Sequence, residues 1–202
     1  MLIAAGVTLG DVDAFAVALG PGSFTGLRIG LATVKSFAQT LRRPCVGVET
    51  LHALALGAGE SDATVALLPA GRGEVFAQRF EVKGEDLVAP LEPPTHISPV
   101  SLLDKVAGVR KLKWVGEGAT IYFEEVKARA EAEGIKFETT EGGVAASREN
   151  CWTLVKDNGV LAASVGRLAL ARAPFDDTYT PQNLRAIYVR PSDAEINERC
   201  QV

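Results

Sequence analysis

The feature that most constrains this chain is an apolar run that stops at a glycine-rich loop and continues as a helix. Asp13 to Leu19 is apolar after its first residue, which suits a strand that is buried on both faces. The next segment, residues 20–30, reads GPGSFTGLRIG, so the strand should stop at a tight turn. Ser23 or Thr25 can cap the helix that follows. The sequence therefore predicts a strand, a turn and a helix in direct succession.

The predicted helix is amphipathic and begins an α/β unit. Its apolar residues recur at helical spacing until Arg42-Arg43-Pro44 ends it; they are Leu27, Leu31, Val34, Ala38 and Leu41. Residues 45–48 form a second short apolar run. We expect it to be a strand parallel to the first, because a helical crossover joins them. A second helix is expected over residues 50–57.

Near residue 60 the pattern changes, and we place a boundary between two lobes there. Residues 64–68 and 74–82 are rich in β-forming residues and are joined by Ala70-Gly71-Arg72-Gly73, which predicts a hairpin. The remaining expectations are an extended proline-rich stretch at 87–99, helices at 101–106, 120–133 and 160–171, and a strand at 113–115. This alternation predicts a mixed α/β fold. Residues 1–60 would be the remainder of an N-terminal lobe, and residues 61–202 a C-terminal lobe.

Composition excludes several classes of protein. The 202 residues are 47% hydrophobic, yet no stretch of about 18 apolar residues occurs, so we expect a folded cytoplasmic protein without a membrane span. Three distant cysteines outside any CxxC spacing and only two histidines leave little material for a zinc site or a histidine-activated nucleophile. The net charge of −4 disfavours a domain that binds nucleic acid by itself.

The glycine-rich loop does not have the spacing of a nucleotide-binding loop. A Walker A loop needs a glycine that is followed directly by Lys and Ser or Thr, whereas Gly26 is followed by Leu27 and Arg28. A dinucleotide fingerprint that starts at Gly20 would need glycine at the position of Thr25. We therefore do not expect a self-sufficient nucleotide site here.

Three glycines fall four residues apart across the start of this helix. Gly22, Gly26 and Gly30 would share a face, and each glycine inside a helix costs about 1 kcal/mol relative to alanine. Close approach of another helix would compensate for that cost. The glycines could instead permit a sharp helix entry, pack against a helix of the same chain, or form a flat partner surface that Thr33 and Phe37 extend.

Charged residues elsewhere do not form a recognisable catalytic pattern. Glu49, Glu74, Asp176, Asp177 and Arg72 are candidates for acid, base or anion-binding roles, but no spacing selects a pair among them. Surface solvation or local turn bonding is the better interpretation of each. His96 is expected to be a surface residue, and residues 192–195 could cap a short final helix.

Several motifs together resemble the bacterial TsaB (YeaZ) family. The segment GPGSFTGLRIGLATVKSFA, residues 20–38, is similar to the family's motif at nearly every position. Residues 70–76 (AGRGEVF) are similar to its second-lobe hairpin, 115–119 (VGEGA) to a later turn, and 188–195 (YVRPSDAE) to its C-terminal ending. The resemblance covers essentially the whole chain.

The resemblance implies the two-lobed RNase H-like fold of the actin, sugar kinase and Hsp70 superfamily, with a degraded nucleotide pocket. It implies a non-catalytic subunit that binds and activates TsaD, which transfers a threonylcarbamoyl group to the adenosine beside the anticodon of tRNA. TsaE, an ATPase, would join the two subunits, and tRNA would be contacted through the complex. No cofactor would be bound by this chain alone, and any ATP or ADP would lie at the junction with the partner. The implied partner-interface residues are Gly22, Ser23, Phe24, Thr25, Gly26, Arg28, Gly30, Thr33 and Phe37. The alternative is a small-molecule kinase or ATPase of the same superfamily.

The chain departs from the family pattern in two places. Met1 to Val7 matches only the end of a long family helix, so the strands that usually precede that helix are missing from this sequence and the first lobe is expected to be incomplete. A misassigned start, a shortened chain or a natural truncation would each explain this. Pro69 stands where many relatives have Asp. With its central strands missing, the strand at 13–19 would have unpaired edges. We therefore expect this chain alone to be poorly soluble or to form a homodimer through the exposed face, which a stable monomer in sedimentation would contradict.

Overall fold

The glycine-rich loop joins the elements of a small parallel sheet. The computed structural model describes residues 2–84, 86–141, 149–156 and 161–189. Its first elements are α1 (Leu2–Ala5), a 3-10 turn (Leu9–Asp11), β1 (Phe15–Gly20), α2 (Phe24–Leu41), β2 (Cys45–Glu49) and α3 (Thr50–Gly57). β1 and β2 pair in parallel, with Phe15 opposite Cys45. The predicted order of strand, turn, helix, parallel strand and helix is confirmed.

A larger sheet follows from Ser61. Its strands are β3 (Ser61–Gly71), β4 (Glu74–Lys83), β5 (Leu87–Pro90), β6 (Thr95–Ile97), β7 (Lys111–Val115), β8 (Lys136–Glu141) and β9 (Cys151–Lys156). The order is β5-β4-β3-β7-β9-β8, with β6 also on β4. β3 and β4 form the predicted antiparallel hairpin, and β7, β8 and β9 are parallel to β3 or to one another. The proline-rich stretch runs extended, as expected, and contributes β5 and β6 to the sheet edge.

The remaining helices are α4 (Pro99–Lys105), α5 (Glu117–Ile121), α6 (Phe123–Ala132) and α7 (Leu161–Leu170). The prediction of one helix over 120–133 is wrong, because the chain forms two helices that break at Tyr122. Helix α5 begins earlier than the predicted residue 120, directly after Gly116. The φ of Gly116 is +102°, and a Cβ there would overlap the Leu67 carbonyl oxygen, so only glycine fits at the end of β7.

The two sheets share one apolar core. Val46 and Val48 of β2 belong to the same buried cluster as Leu51 of α3, Phe80 of β4 and Val165 of α7.

Among the helices of the described ranges, none has the length and the apolar character that a membrane span requires. The first sheet ends at Glu49 and the second begins at Ser61, but the division into lobes 1–60 and 61–202 stays a prediction.

The opposite face of the large sheet has its own core, centred on two tryptophans. Trp114 and Trp152 are fully buried on neighbouring strands, with ring centroids 5.2 Å apart. The indole N–H of Trp152 donates to the Val109 carbonyl at 2.7 Å. Of the described side chains, the Trp114 indole N–H is among the few buried polar groups that lack a hydrogen-bond partner.

A buried lysine links the large sheet to the end of α3. Lys113 is 1% exposed on β7, with Thr64 and Thr153 opposite it on the flanking strands. Its Nζ donates to the Ala58 carbonyl at 2.8 Å, just beyond the last turn of α3. Burial lowers the pKa of Lys113, because the charged form loses hydration. A cation at a helix C-terminus also satisfies a carbonyl that has no partner within the helix.

Candidate partner interface

The loop after β1 sets the direction of α2. Gly20 is buried with φ = +116°, and a Cβ there would lie 2.6 Å from the Ile187 carbonyl oxygen. Pro21 follows in a cis peptide bond and is also buried. The Ser23 hydroxyl then caps α2 by accepting from the Gly26 N–H at 3.3 Å. Of the two predicted caps, Ser23 is the one that is used.

The inner stripe of α2 holds the helix against β1. Leu31 and Ala38 are buried in a cluster with Cys45 and Leu184, and Val34 packs against that cluster. These residues belong to the predicted apolar stripe, which is therefore confirmed. Full burial of a leucine side chain stabilises a protein by about 1.5–3 kcal/mol, enough to fix which side of α2 faces outward.

A strip of uncharged residues runs along the outward side of α2 and has an isoleucine at its centre. Thr25, Ile29 and Thr33 are exposed at a spacing of four residues, so they form one strip along the helix. Ile29 is 63% exposed and Phe37, one turn further on, is 38% exposed. Phe37 also contacts Phe15, with ring centroids 5.9 Å apart. We call Thr25, Ile29, Thr33 and Phe37 the outer strip of α2.

Ile29 was not among the residues selected from the sequence, although a signal for it was present. It falls outside the stripe that runs from Leu27 to Leu41, so a helical projection places it on the solvent side. Single exposed apolar side chains are common on protein surfaces, so Ile29 marks a candidate contact only together with Phe37 on the same strip.

The three spaced glycines border a groove and not a packed helix. Gly22, Gly26 and Gly30 line a cavity of about 540 Å³ whose opposite walls come from β1, β3 and α7. A Cβ at Gly22 would meet nothing within 4 Å, and one at Gly30 would meet only Val17, at 3.8 Å. Within the described residues, the interpretation that a helix of the same chain packs against these three glycines is therefore wrong. Pro69 lies on the same groove.

The groove has few features of a phosphate site. Most of its lining is apolar, and the exposed carboxylate side chain of Glu117 belongs to its wall, where it would repel an anion. The Gly26 and Leu27 N–H groups are already engaged by the Ser23 hydroxyl and carbonyl oxygens. These contacts agree with the sequence argument against a self-sufficient nucleotide site.

An aromatic stack flanks the start of α2. The guanidinium carbon of Arg28 lies 3.8 Å from the centre of the Phe24 ring, within cation–π range. Phe24 in turn contacts Tyr188, with ring centroids 5.5 Å apart. Phe24 is 41% exposed and Tyr188 48% exposed. Tyr188 was not predicted as a site residue, because 164 positions separate it from Phe24 in the sequence.

The charged candidates form separate local contacts. The Glu49 carboxylate lies 2.6 Å from His52 Nδ1, and that hydrogen bond is the main reason its pKa is lowered. Glu74 lies 2.9 Å from His96, and a hydrogen bond from Thr178 lowers the pKa of Asp176. In the ranges that the structure describes, no three His, Cys, Asp or Glu side chains gather as a metal site would require. Residues 192–195 lie outside the described residues.

Comparison with known proteins shows which family this sequence matches. The family model described as TsaD, tRNA N6-adenosine threonylcarbamoyltransferase, matches residues 1–157. Escherichia coli TsaB, a tRNA threonylcarbamoyladenosine biosynthesis protein, is 34% identical over 102 residues, which cover 46% of this chain and 44% of that protein. Bacillus subtilis TsaB is 35% identical over 74 residues, which cover 36% of this chain and 32% of that protein. The matched segments thus span less than half of these relatives.

The solved structure of YeaZ from Pseudomonas aeruginosa has a similar fold. It superposes with a TM-score of 0.63 at 22% identity, over 93% of this chain and 78% of that one. This likeness confirms the mixed α/β fold that the sequence predicts and shows that its fold is that of YeaZ.

Proposed function

This chain belongs to the TsaD family of tRNA N6-adenosine threonylcarbamoyltransferase as a TsaB-type (YeaZ-type) member, and we propose that it is a non-catalytic partner subunit. In this role it binds and activates a TsaD-type protein. That protein transfers the threonylcarbamoyl group to the adenosine beside the anticodon of tRNA. A TsaE-type ATPase completes the assembly, which works in the cytoplasm. This chain alone binds no cofactor, and any ATP or ADP would lie at the junction between subunits.

The outer strip of α2 is the observation that carries this proposal. Large apolar side chains dominate the energy of protein interfaces when small neighbours let a partner approach closely. Ile29 and Phe37 provide the apolar side chains, and Thr25, Thr33 and the nearby Gly26 provide the small neighbours. A partner helix laid along this strip would cover the exposed apolar surface of the first sheet's helix.

The charge of the chain supports shared contact with tRNA. A net charge of −4 works against phosphate binding by this chain alone. α2 is the exception, since it carries Arg28 and Lys35 and no acidic residue. RNA contact is therefore assigned to the complex as a whole.

Binding to the TsaD-type protein of the same organism tests the proposal directly. The wild-type chain should co-purify with it and raise its threonylcarbamoyl transfer to tRNA. Ile29→Asp should abolish both effects, because it places a charge in the middle of the buried contact. Ile121→Asp is the matched control, since Ile121 is 53% exposed on α5 and lies outside the strip. Failure of the wild-type chain to bind, or equal loss in both variants, would contradict the proposal.

The alternative of a small-molecule kinase or ATPase predicts a different result. Such an enzyme would hydrolyse ATP or transfer phosphate without any partner. ATP turnover by the purified chain, unchanged when the TsaD-type protein is added, would favour the alternative. The apolar groove and its Glu117 carboxylate make us expect no turnover.

A further inference from the structure

The C-terminal segment that carries Tyr188 is fixed to the first sheet. Leu184 is 5% exposed in the cluster that holds α2 to β1, and Ala186 packs against the same cluster. The Ile187 N–H donates to the Leu19 carbonyl at 2.8 Å. Tyr188 therefore projects beside α2 from a backbone that is anchored up to the residue before it.

The stack of Tyr188, Phe24 and Arg28 combines rigid anchors with an available charge. Among the described residues, no carboxylate forms an ion pair with Arg28, which lies over the Phe24 ring. The chain has no acidic residue between Asp13 and Glu49. Tyrosine and arginine are the residue types that carry most binding energy at interfaces, and a side chain that is already ordered loses less entropy on binding.

We propose that the Arg28–Phe24–Tyr188 stack is a second anchor of the partner interface and receives an acidic side chain of the TsaD-type protein. The inference rests on the proposed function and adds both a contact outside α2 and the chemistry of its partner. An Asp or Glu flanked by apolar residues fits, because the carboxylate pairs with the guanidinium while its neighbours cover the exposed rings. The outer strip and the stack then form one continuous surface around the first turns of α2.

Affinity measurements on the full chain and its TsaD-type partner separate this anchor from the outer strip. Tyr188→Ala should weaken binding by roughly tenfold, as expected for loss of an interface aromatic. Tyr188→Phe should bind like wild type, because it keeps the stacked ring. Arg28→Gln should weaken binding and flatten its salt dependence, whereas Lys127→Gln on α6, which removes the same charge elsewhere, should do neither.

The outcomes distinguish the two proposals. If the wild-type chain does not bind the TsaD-type protein, the proposed function fails. If it binds and Ile29→Asp abolishes binding while Tyr188→Ala and Arg28→Gln behave like Lys127→Gln, only the second anchor is wrong. Thermal melts of each variant show whether a loss of affinity comes from unfolding, and recovery in Tyr188→Phe would show that the ring itself is required.

Cross-linking identifies the chemistry of the partner. Arg28→Lys places an amine in the stack, and a zero-length amine–carboxylate cross-linker should join it to an Asp or Glu of the TsaD-type protein. Mass spectrometry of the linked peptides should locate that residue next to apolar ones. A complex that forms normally but yields no cross-link from residue 28 would overturn the assignment of an acidic contact.

Discussion

Replacing Gly20 with alanine should loosen the junction between β1 and the C-terminal segment. Gly20 has φ = +116°, a backbone conformation that residues other than glycine rarely adopt. The new Cβ would lie 2.6 Å from the Ile187 carbonyl oxygen and 3.1 Å from a methyl group of Leu27. The leucine methyl can move at low cost, but the carbonyl belongs to the backbone that donates to Leu19. Relief of the clash therefore requires that hydrogen bond to lengthen or break.

The expected loss follows from these two effects. A residue forced into a sparsely populated backbone region costs about 1–3 kcal/mol, and loss of one backbone hydrogen bond adds about 0.5–1.5 kcal/mol. We expect Gly20→Ala to lower the free energy of unfolding by about 2–4 kcal/mol. Gly22→Ala is the matched control, because its Cβ meets no atom within 4 Å and its φ is not positive. That change should be neutral or stabilise by up to about 1 kcal/mol.

Urea unfolding followed by circular dichroism measures both variants. The Gly20→Ala midpoint should fall well below that of the wild type, while the Gly22→Ala midpoint stays level or rises. Equal midpoints for the two variants would refute the argument, since they would show that the Ile187 backbone yields without cost. Gly20→Ala should also weaken binding of the TsaD-type protein, because Tyr188 follows Ile187 directly.

Three further predictions concern buried groups. Burial lowers the folded pKa of Lys113 below the unfolded value of about 10.4, so the unfolded chain holds that proton more tightly and the free energy of unfolding should rise with pH between the two values. Urea unfolding at increasing alkaline pH should show a smaller rise in Lys113→Met than in the wild type. An equal rise in both would contradict the direction of this pKa shift. Trp152→Phe leaves the Val109 carbonyl without its donor and should lower the free energy of unfolding by about 1–3 kcal/mol beyond the lost packing. Trp114→Phe should cost less, because the indole N–H of Trp114 has no partner among the described residues. The reverse order in urea unfolding would count against this account. Burial raises the pKa of the Cys45 thiol, so the reactive thiolate is scarce in the folded chain. Peptide mapping should therefore find iodoacetamide on Cys45 only after unfolding. Rapid labelling of the native chain would contradict this, because it would show that the thiol is accessible.

Local patterns were sufficient for the elements that surround the loop. The end of α2 could be predicted because its apolar stripe stops where Arg42, Arg43 and Pro44 begin. β8 could not, since Lys136–Glu141 contains charged and polar residues with only Phe137 apolar, as suits a sheet edge exposed to water. β9 did carry a signal, because Cys151–Lys156 is a short, mostly apolar run like β2, and it was missed.

The candidate interface was predictable only as far as it lies on one helix. The spacing of Gly22, Gly26 and Gly30 indicated an unusual face, but not that this face borders a groove while the exposed apolar residue is Ile29. Tyr188 could not be joined to Phe24 by any local pattern, because the contact depends on the backbone of Ile187 running beside β1. Tertiary packing, which no periodicity records, brings these residues together.

The hydrogen bond between Ile187 and Leu19 has a consequence for the chain during synthesis. The segment that lies beside β1 is made roughly 170 residues after it. At synthesis rates of about 5–20 residues per second, this interval is roughly 8–34 seconds. For that time the apolar side chains of the first sheet lack a covering that they have in the finished fold. Chaperones should therefore bind the nascent chain until the segment around Ile187 is free to reach β1.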